Sequence, residues 1–200
     1  MVFSEPASTW TIESKAGPLR LREFLPSTGQ PRGVYLHLHG GGWVIGGESA
    51  GAHLSAVTLL RLRQRLGHCP FSGANFNFGL FDMNLTPSAR AFGDERLFLR
   101  TMDMVQFRAA FLPGEQNLRD PDISPLYGDL QNLCPALFTV GTRDALLDDS
   151  LFMHARWLAA GNTGLLDVYA GAPHAFFRLG DAHAQNSIAQ QIQFIRSQLK

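Results

Sequence analysis

The sequence predicts an α/β protein, a mostly parallel sheet covered by helices on both faces, and three observations carry that prediction. From Pro135 onward a strand, a turn, a helix, a second strand and a second turn follow in order. Each of those strands runs into a polar turn, Gly141 to Asp144 and Gly171 to His174, at the edge where parallel sheets place their chemistry. A glycine-flanked serine, Ser49, stands directly ahead of a helical pattern.

Short β-type runs open the chain at 10–13, 19–24 and 34–39. Gly17-Pro18 separates the first two and Gly33 precedes the third. Residues 50–66 are rich in Ala, Leu and Arg, with Leu54, Val57, Leu60 and Leu62 near helical spacing, so a helix begins behind Ser49. The aromatic run 74–81 reads as a further strand. The pattern over 94–111 reads as a helix that stops at Leu112-Pro113-Gly114. In the βαβ unit, 136–140 and 165–169 are strands and 148–160 is the helix, closed by Gly161. A last helix is expected over 183–199. No repeat or low-complexity segment interrupts the pattern.

A chain of 200 residues suffices for one continuous core, so a single domain over 1–200 is expected. Acids and bases balance at 17 each, which leaves no basic face for nucleic acid. Cys69 and Cys134 lack the spacing of a zinc site or of a disulfide framework, so two buried or half-buried thiols are expected. No apolar run approaches a membrane span, and the first ten residues lack the pattern of a signal peptide. A soluble, cytoplasmic protein is the expectation. His37, His53, His68, His154 and His183 share no metal-ligand spacing.

Gly47-Glu48-Ser49-Ala50-Gly51 matches G-x-S-x-G, in which small residues let the backbone turn sharply and the following helix points its positive end at the reaction. Taken alone, the pentapeptide is equally an ordinary helix N-cap serine. It is accompanied by His39-Gly40-Gly41-Gly42-Trp43, whose glycines let backbone N–H groups approach an oxyanion. Asp144 and His174 then follow in the order acid, base, each just past a strand. In those positions His174 takes and returns the serine proton, and Asp144 fixes its tautomer. Asp148 and Asp149 suit the entry of the next helix better than Asp144 does. The Phe-rich stretch 71–111 is either core or the lining of an acyl pocket.

The motifs HGGGW, GESAG, the D-x-L-x-D at Asp144, PHAFF at His174, and Ser124-Pro125-Leu126 together resemble the hormone-sensitive-lipase-like esterases of the α/β-hydrolase fold. The resemblance runs from about Leu19 to the end of the chain. It implies an esterase acting on carboxylic esters of modest acyl length, with Ser49, Asp144 and His174 as triad and the N–H groups of Gly41, Gly42 and Ala50 as oxyanion donors. It also implies a small-molecule ester substrate, no metal or organic cofactor, and a lid drawn from the N-terminus and about 71–113. A homodimer is an allowed assembly.

One departure stands out: Trp43-Val44-Ile45-Gly46 alone separates HGGGW from GESAG, where the family has two crossovers and the nucleophile strand. Four residues span at most about 14 Å, too little for the return that a parallel neighbour needs. The fold is therefore expected to be internally shortened, without a central strand and its crossover helices. Either the sheet closes over the gap and keeps some triad geometry, or unpaired edges leave an unstable or catalytically impaired remnant. The second outcome is the favoured expectation for the isolated chain.

Overall fold

The computed structural model describes residues 7–14, 17–25, 47–95, 97–112, 114 and 116–198. The described residues up to Leu25 form one compact unit and those from Gly47 onward form another. The expected strand at 34–39 and the glycines of the oxyanion loop lie outside the described residues.

The first unit is an antiparallel ribbon of β1 (Ser8–Ser14) and β2 (Gly17–Glu23), with Trp10 opposite Leu21 and Ile12 opposite Leu19. Gly17 turns the chain at φ 107°, a conformation that glycine adopts without steric cost.

In the second unit, β3 (Ala74–Asn77), β4 (Ala136–Arg143) and β5 (Gly164–Pro173) make a parallel sheet in that order, with Ala74, Ala136 and Gly164 in register. A single parallel bridge between Glu48 and Asn77 extends the sheet on the far side of β3. Side chains alternate across a strand, so Phe76 and Phe138 share one face and Asn75 and Asn77 the other. The aromatic face packs against α1 (Ala50–Leu66) and α4 (Leu147–Ala159) in a cluster holding Ala52, Ala56, Leu59, Met153 and Trp157. The polar face meets α5 (Ala182–Gln198), where the Gln191 side-chain oxygen accepts hydrogen bonds from Asn75 and Asn77 at 2.9 and 3.1 Å. Helices thus cover both faces, and among the described residues the sheet is short, in keeping with the truncated spacing of the motifs.

Local chemistry explains the boundaries. α1 ends at Gly67, in the left-handed conformation at φ 76°, whose N–H donates to the Arg63 carbonyl at 2.8 Å. β4 is buried over most of its length, as a strand covered on both faces should be.

Two expectations are corrected. The run 74–81 pairs only as far as Asn77, because Phe78 turns to φ 38° and leaves the strand direction. The helix expected over 94–111 begins at Thr101 as α3 (Thr101–Phe111), where the Asp103 carboxylate returns to the Arg100 N–H at 3.0 Å and so caps the first turn. Ahead of it lies the short α2 (Pro87–Ala91), started by a proline at its first position. Both helices belong to a second apolar cluster that includes Leu80, Met83, Met104, Ala145 and Leu146. Among the described residues, no helix is long and apolar enough to cross a membrane.

Candidate active site

Glu48, β3, β4 and β5 all point their carboxyl ends to one edge of the sheet, and the candidate residues lie along it. Ser49 sits between the Glu48 bridge and α1 at φ 57° and ψ −113°. A residue with a Cβ occupies that region at a cost of about 1–3 kcal/mol, so the turn is strained. Neighbours hold it there: the Ser49 N–H donates to the Asn77 carbonyl at 3.0 Å, and the Gly51 N–H donates to the Glu48 carbonyl at 2.9 Å. The Ser49 side chain makes no cap to the helix, so the N-cap explanation of this serine fails.

Asp144 and His174 are brought together. Their strands are adjacent and in register until a bulge between Gly141 and Arg143 turns both chains toward the same point. Gly141 is essential to that approach, since a Cβ there would lie 2.0 Å from the Ala172 carbonyl oxygen. Nδ1 of His174 lies 3.0 and 2.9 Å from the two Asp144 oxygens, and both side chains are buried. A carboxylate only accepts, so Nδ1–H donates and Nε2 is left with its lone pair. The Leu146 N–H holds Asp144 from the other side at 2.9 Å.

Phe78 links the two halves of the edge. Its N–H donates to the Thr139 carbonyl at 2.7 Å, one residue after the carbonyl that receives Ser49. Its fully buried ring meets the His174 imidazole edge-on at 4.8 Å, and Phe177 stands 5.1 Å on another side. Ala50 is the first residue of α1 and is buried; Gly41 and Gly42 lie outside the described residues.

Sequence reasoning missed the parts played by Asn77, Phe78 and Asp149. Asp149 was expected to serve the entry of α4, yet its carboxylate is fully buried and aimed at a neighbouring loop. One oxygen accepts from the N–H groups of Phe81 and Asp82 at 2.6 and 2.9 Å, and the other accepts from the Thr86 hydroxyl at 2.6 Å. Burial raises its pKa from the ordinary carboxyl value to about 7, against the pull of those three donors. The Asp148 carboxylate, also in the first turn of α4, likewise reaches the neighbouring segment and accepts from the Ser88 N–H at 2.8 Å. The two aspartates therefore pin the 81–88 loop beside Asp144. A pair of adjacent acids gave no sequence signal that one would be buried.

His53, in the first turn of α1, donates from Nε2 to the Ile123 carbonyl at 2.8 Å, and burial lowers its pKa. It is a structural histidine. Among the described residues no group of His, Cys, Asp and Glu could hold a metal ion.

A serine in a strained turn into a helix, with an acid and a histidine at the ends of successive parallel strands, is the layout of an α/β hydrolase. The family described as alpha/beta hydrolase fold matches residues 36–178, and the chain belongs to it. Within that fold it falls in the hormone-sensitive-lipase-like branch. A crystal structure of an esterase from the bacterial hormone-sensitive lipase family superposes with a TM-score of 0.71 at 29% identity, covering 76% of this chain and 52% of the other. A hormone-sensitive lipase from a metagenome library gives 0.70 at 26% identity, with the same coverage. An esterase of Acinetobacter venetianus is 34% identical over 108 residues, 54% of this chain and 35% of its own. An acetyl esterase of Salmonella paratyphi B is 30% identical over 132 residues, 65% of this chain and 41% of its own. The chain thus spans about half the length of these solved structures and less than half that of these two sequence relatives.

Proposed function

We propose that this chain hydrolyses carboxylic esters of modest acyl length through an acyl-enzyme at Ser49. The observation that carries the reading is the buried His174–Asp144 hydrogen bond, made at the sheet edge that also seats the strained Ser49 turn on Asn77. In this reading His174 Nε2 takes the Ser49 proton as the hydroxyl oxygen attacks the ester carbonyl, and then passes it to the leaving alcohol. Asp144 keeps the imidazole in the tautomer that leaves Nε2 free, and it stabilises the transient imidazolium. The Ala50 N–H stands in the first turn of α1, where helix geometry offers no intrahelical acceptor, and supports an oxyanion role there; Gly41 and Gly42 would supply the other donors. The α2–α3 segment packs on Ala145 and Leu146, next to Asp144, which supports a lid over the acyl side.

The test is turnover of p-nitrophenyl acetate and butyrate by the protein and by Ser49→Ala. Hydrolysis abolished in the variant is the expected result, and equal rates would remove Ser49 from the mechanism.

A second reading, a catalytically impaired remnant, is favoured by one observation: Trp43 to Gly46 alone separate the HGGGW and GESAG motifs, too few residues for the crossover that a parallel neighbour needs. A fluorophosphonate probe separates the two, because phosphonylation needs both an activated serine and an oxyanion hole. Stoichiometric labelling of Ser49 supports the esterase, and no labelling of a folded sample supports the remnant.

A further inference from the structure

Cys69 and Cys134 are distant in sequence and meet in the fold. Cys69 lies in the connection between Gly67, which closes α1, and β3; Cys134 stands just ahead of Pro135 and β4. Pairing of the two strands draws these approaches together, since the Ala74 N–H donates to the Pro135 carbonyl at 2.9 Å. Cys69 packs against the apolar cluster that contains Cys134. The Cys69 S–H is directed to the Phe71 carbonyl at 3.7 Å. Both are free thiols, and they differ in access: Cys69 is half-buried and Cys134 is buried. Burial also keeps Cys134 protonated by pushing its pKa up.

We propose that Cys69 and Cys134 are an oxidation site, a thiol pair that hydrogen peroxide closes to an intramolecular disulfide. Access sets the order of events. Peroxide oxidises the Cys69 sulfur to a sulfenic acid and releases one water, the cleaved O–O bond taking up the two electrons. The Cys134 sulfur then attacks the Cys69 sulfur and the S–O bond breaks. The hydroxyl leaves with the Cys134 proton as a second water. Both cysteines lie in connecting segments rather than in strands or helices, so the backbone has room to adjust as the sulfurs close to about 2.05 Å. The bond would tie the C-terminal end of α1 to the N-terminal end of β4, away from Ser49 and Asp144 at the opposite ends of those elements. It is therefore independent of the esterase reading.

The experiment treats the intact chain with millimolar hydrogen peroxide, then unfolds and alkylates it and maps its peptides without reduction. The expected product is lighter by two hydrogen atoms, carries no alkyl group on either cysteine, and yields one linked peptide pair. In Cys134→Ser the reaction stops at the Cys69 sulfenic acid, which dimedone traps. Should that variant fail to fold, Cys69→Ser is expected to keep Cys134 reduced under the same treatment. Cys69 carrying two or three oxygens beside a free Cys134, a bridge between two molecules, or oxidation of Cys134 in Cys69→Ser would each overturn the assignment.

Discussion

His174 Nδ1 lies 2.9 Å from Oδ2 of Asp144 inside a buried corner between two neighbouring strand ends, and that single contact fixes which ring nitrogen is basic. Asp144→Asn keeps the shape and removes the demand for an Nδ1–H donor. The ring is then free to present its proton at Nε2, where an acceptor is required. On the esterase reading, kcat falls by roughly 10³–10⁴-fold while the thermal midpoint moves little. Activity within about tenfold of the parent would show that the pair is structural only.

Ser49 occupies a backbone region that costs a side chain free energy, and its own bond to Asn77, together with the Gly51–Glu48 bond that spans it, holds it there. Ser49→Gly relieves that strain and Ser49→Ala does not, whereas both remove the hydroxyl. After the extra chain entropy that glycine loses on folding, about 1 kcal/mol should remain in favour of the glycine variant. Its melting temperature should exceed that of Ser49→Ala by about 2–4 °C, with hydrolysis absent in both. Equal midpoints would mean that the turn is relaxed.

Gly141 permits the approach of the Asp144 and His174 turns. A methyl group at 141 meets backbone, the carbonyl oxygen and carbon of Ala172 at 2.0 and 2.6 Å, and no side chain can move aside to accommodate it. Gly141→Ala should destabilise the fold by about 3 kcal/mol and abolish ester hydrolysis. A parent-like melt would sink this account of the bulge.

Asp149 gives a pH signature. Its folded-state pKa is raised from 3.8 to about 7, chiefly by burial. Its contribution to stability is therefore fully present below the unfolded value and is lost as pH rises through about 7. His53 acts in the opposite sense: its lowered pKa removes stability as pH falls below 6.5. Asp149→Asn leaves the His53 contribution in place and deletes the carboxyl titration, so the difference between the two proteins isolates Asp149. The parent should gain stability relative to the variant as pH falls from above 7 toward 4, measured by urea midpoints; a difference independent of pH would refute the buried carboxyl.

By itself the sequence determined the class of fold, the order of its principal elements and the identity of the candidate acid and base. Those features rest on local signals: helical and strand periodicity, glycine punctuation, and motifs in a fixed order at strand ends. Tertiary structure decided what depends on residues remote in the chain. Asn77 receives the Ser49 N–H only because β3 pairs beside Glu48, and Phe78 reaches His174 only after leaving that strand at positive φ. Asp149 is buried because the 81–86 loop folds over the first turn of α4 and supplies its donors, and the two thiols meet only because β3 lies against β4. Periodicity reports which face of an element is apolar, but not which distant segment will cover it, and at these positions the covering segment sets the chemistry.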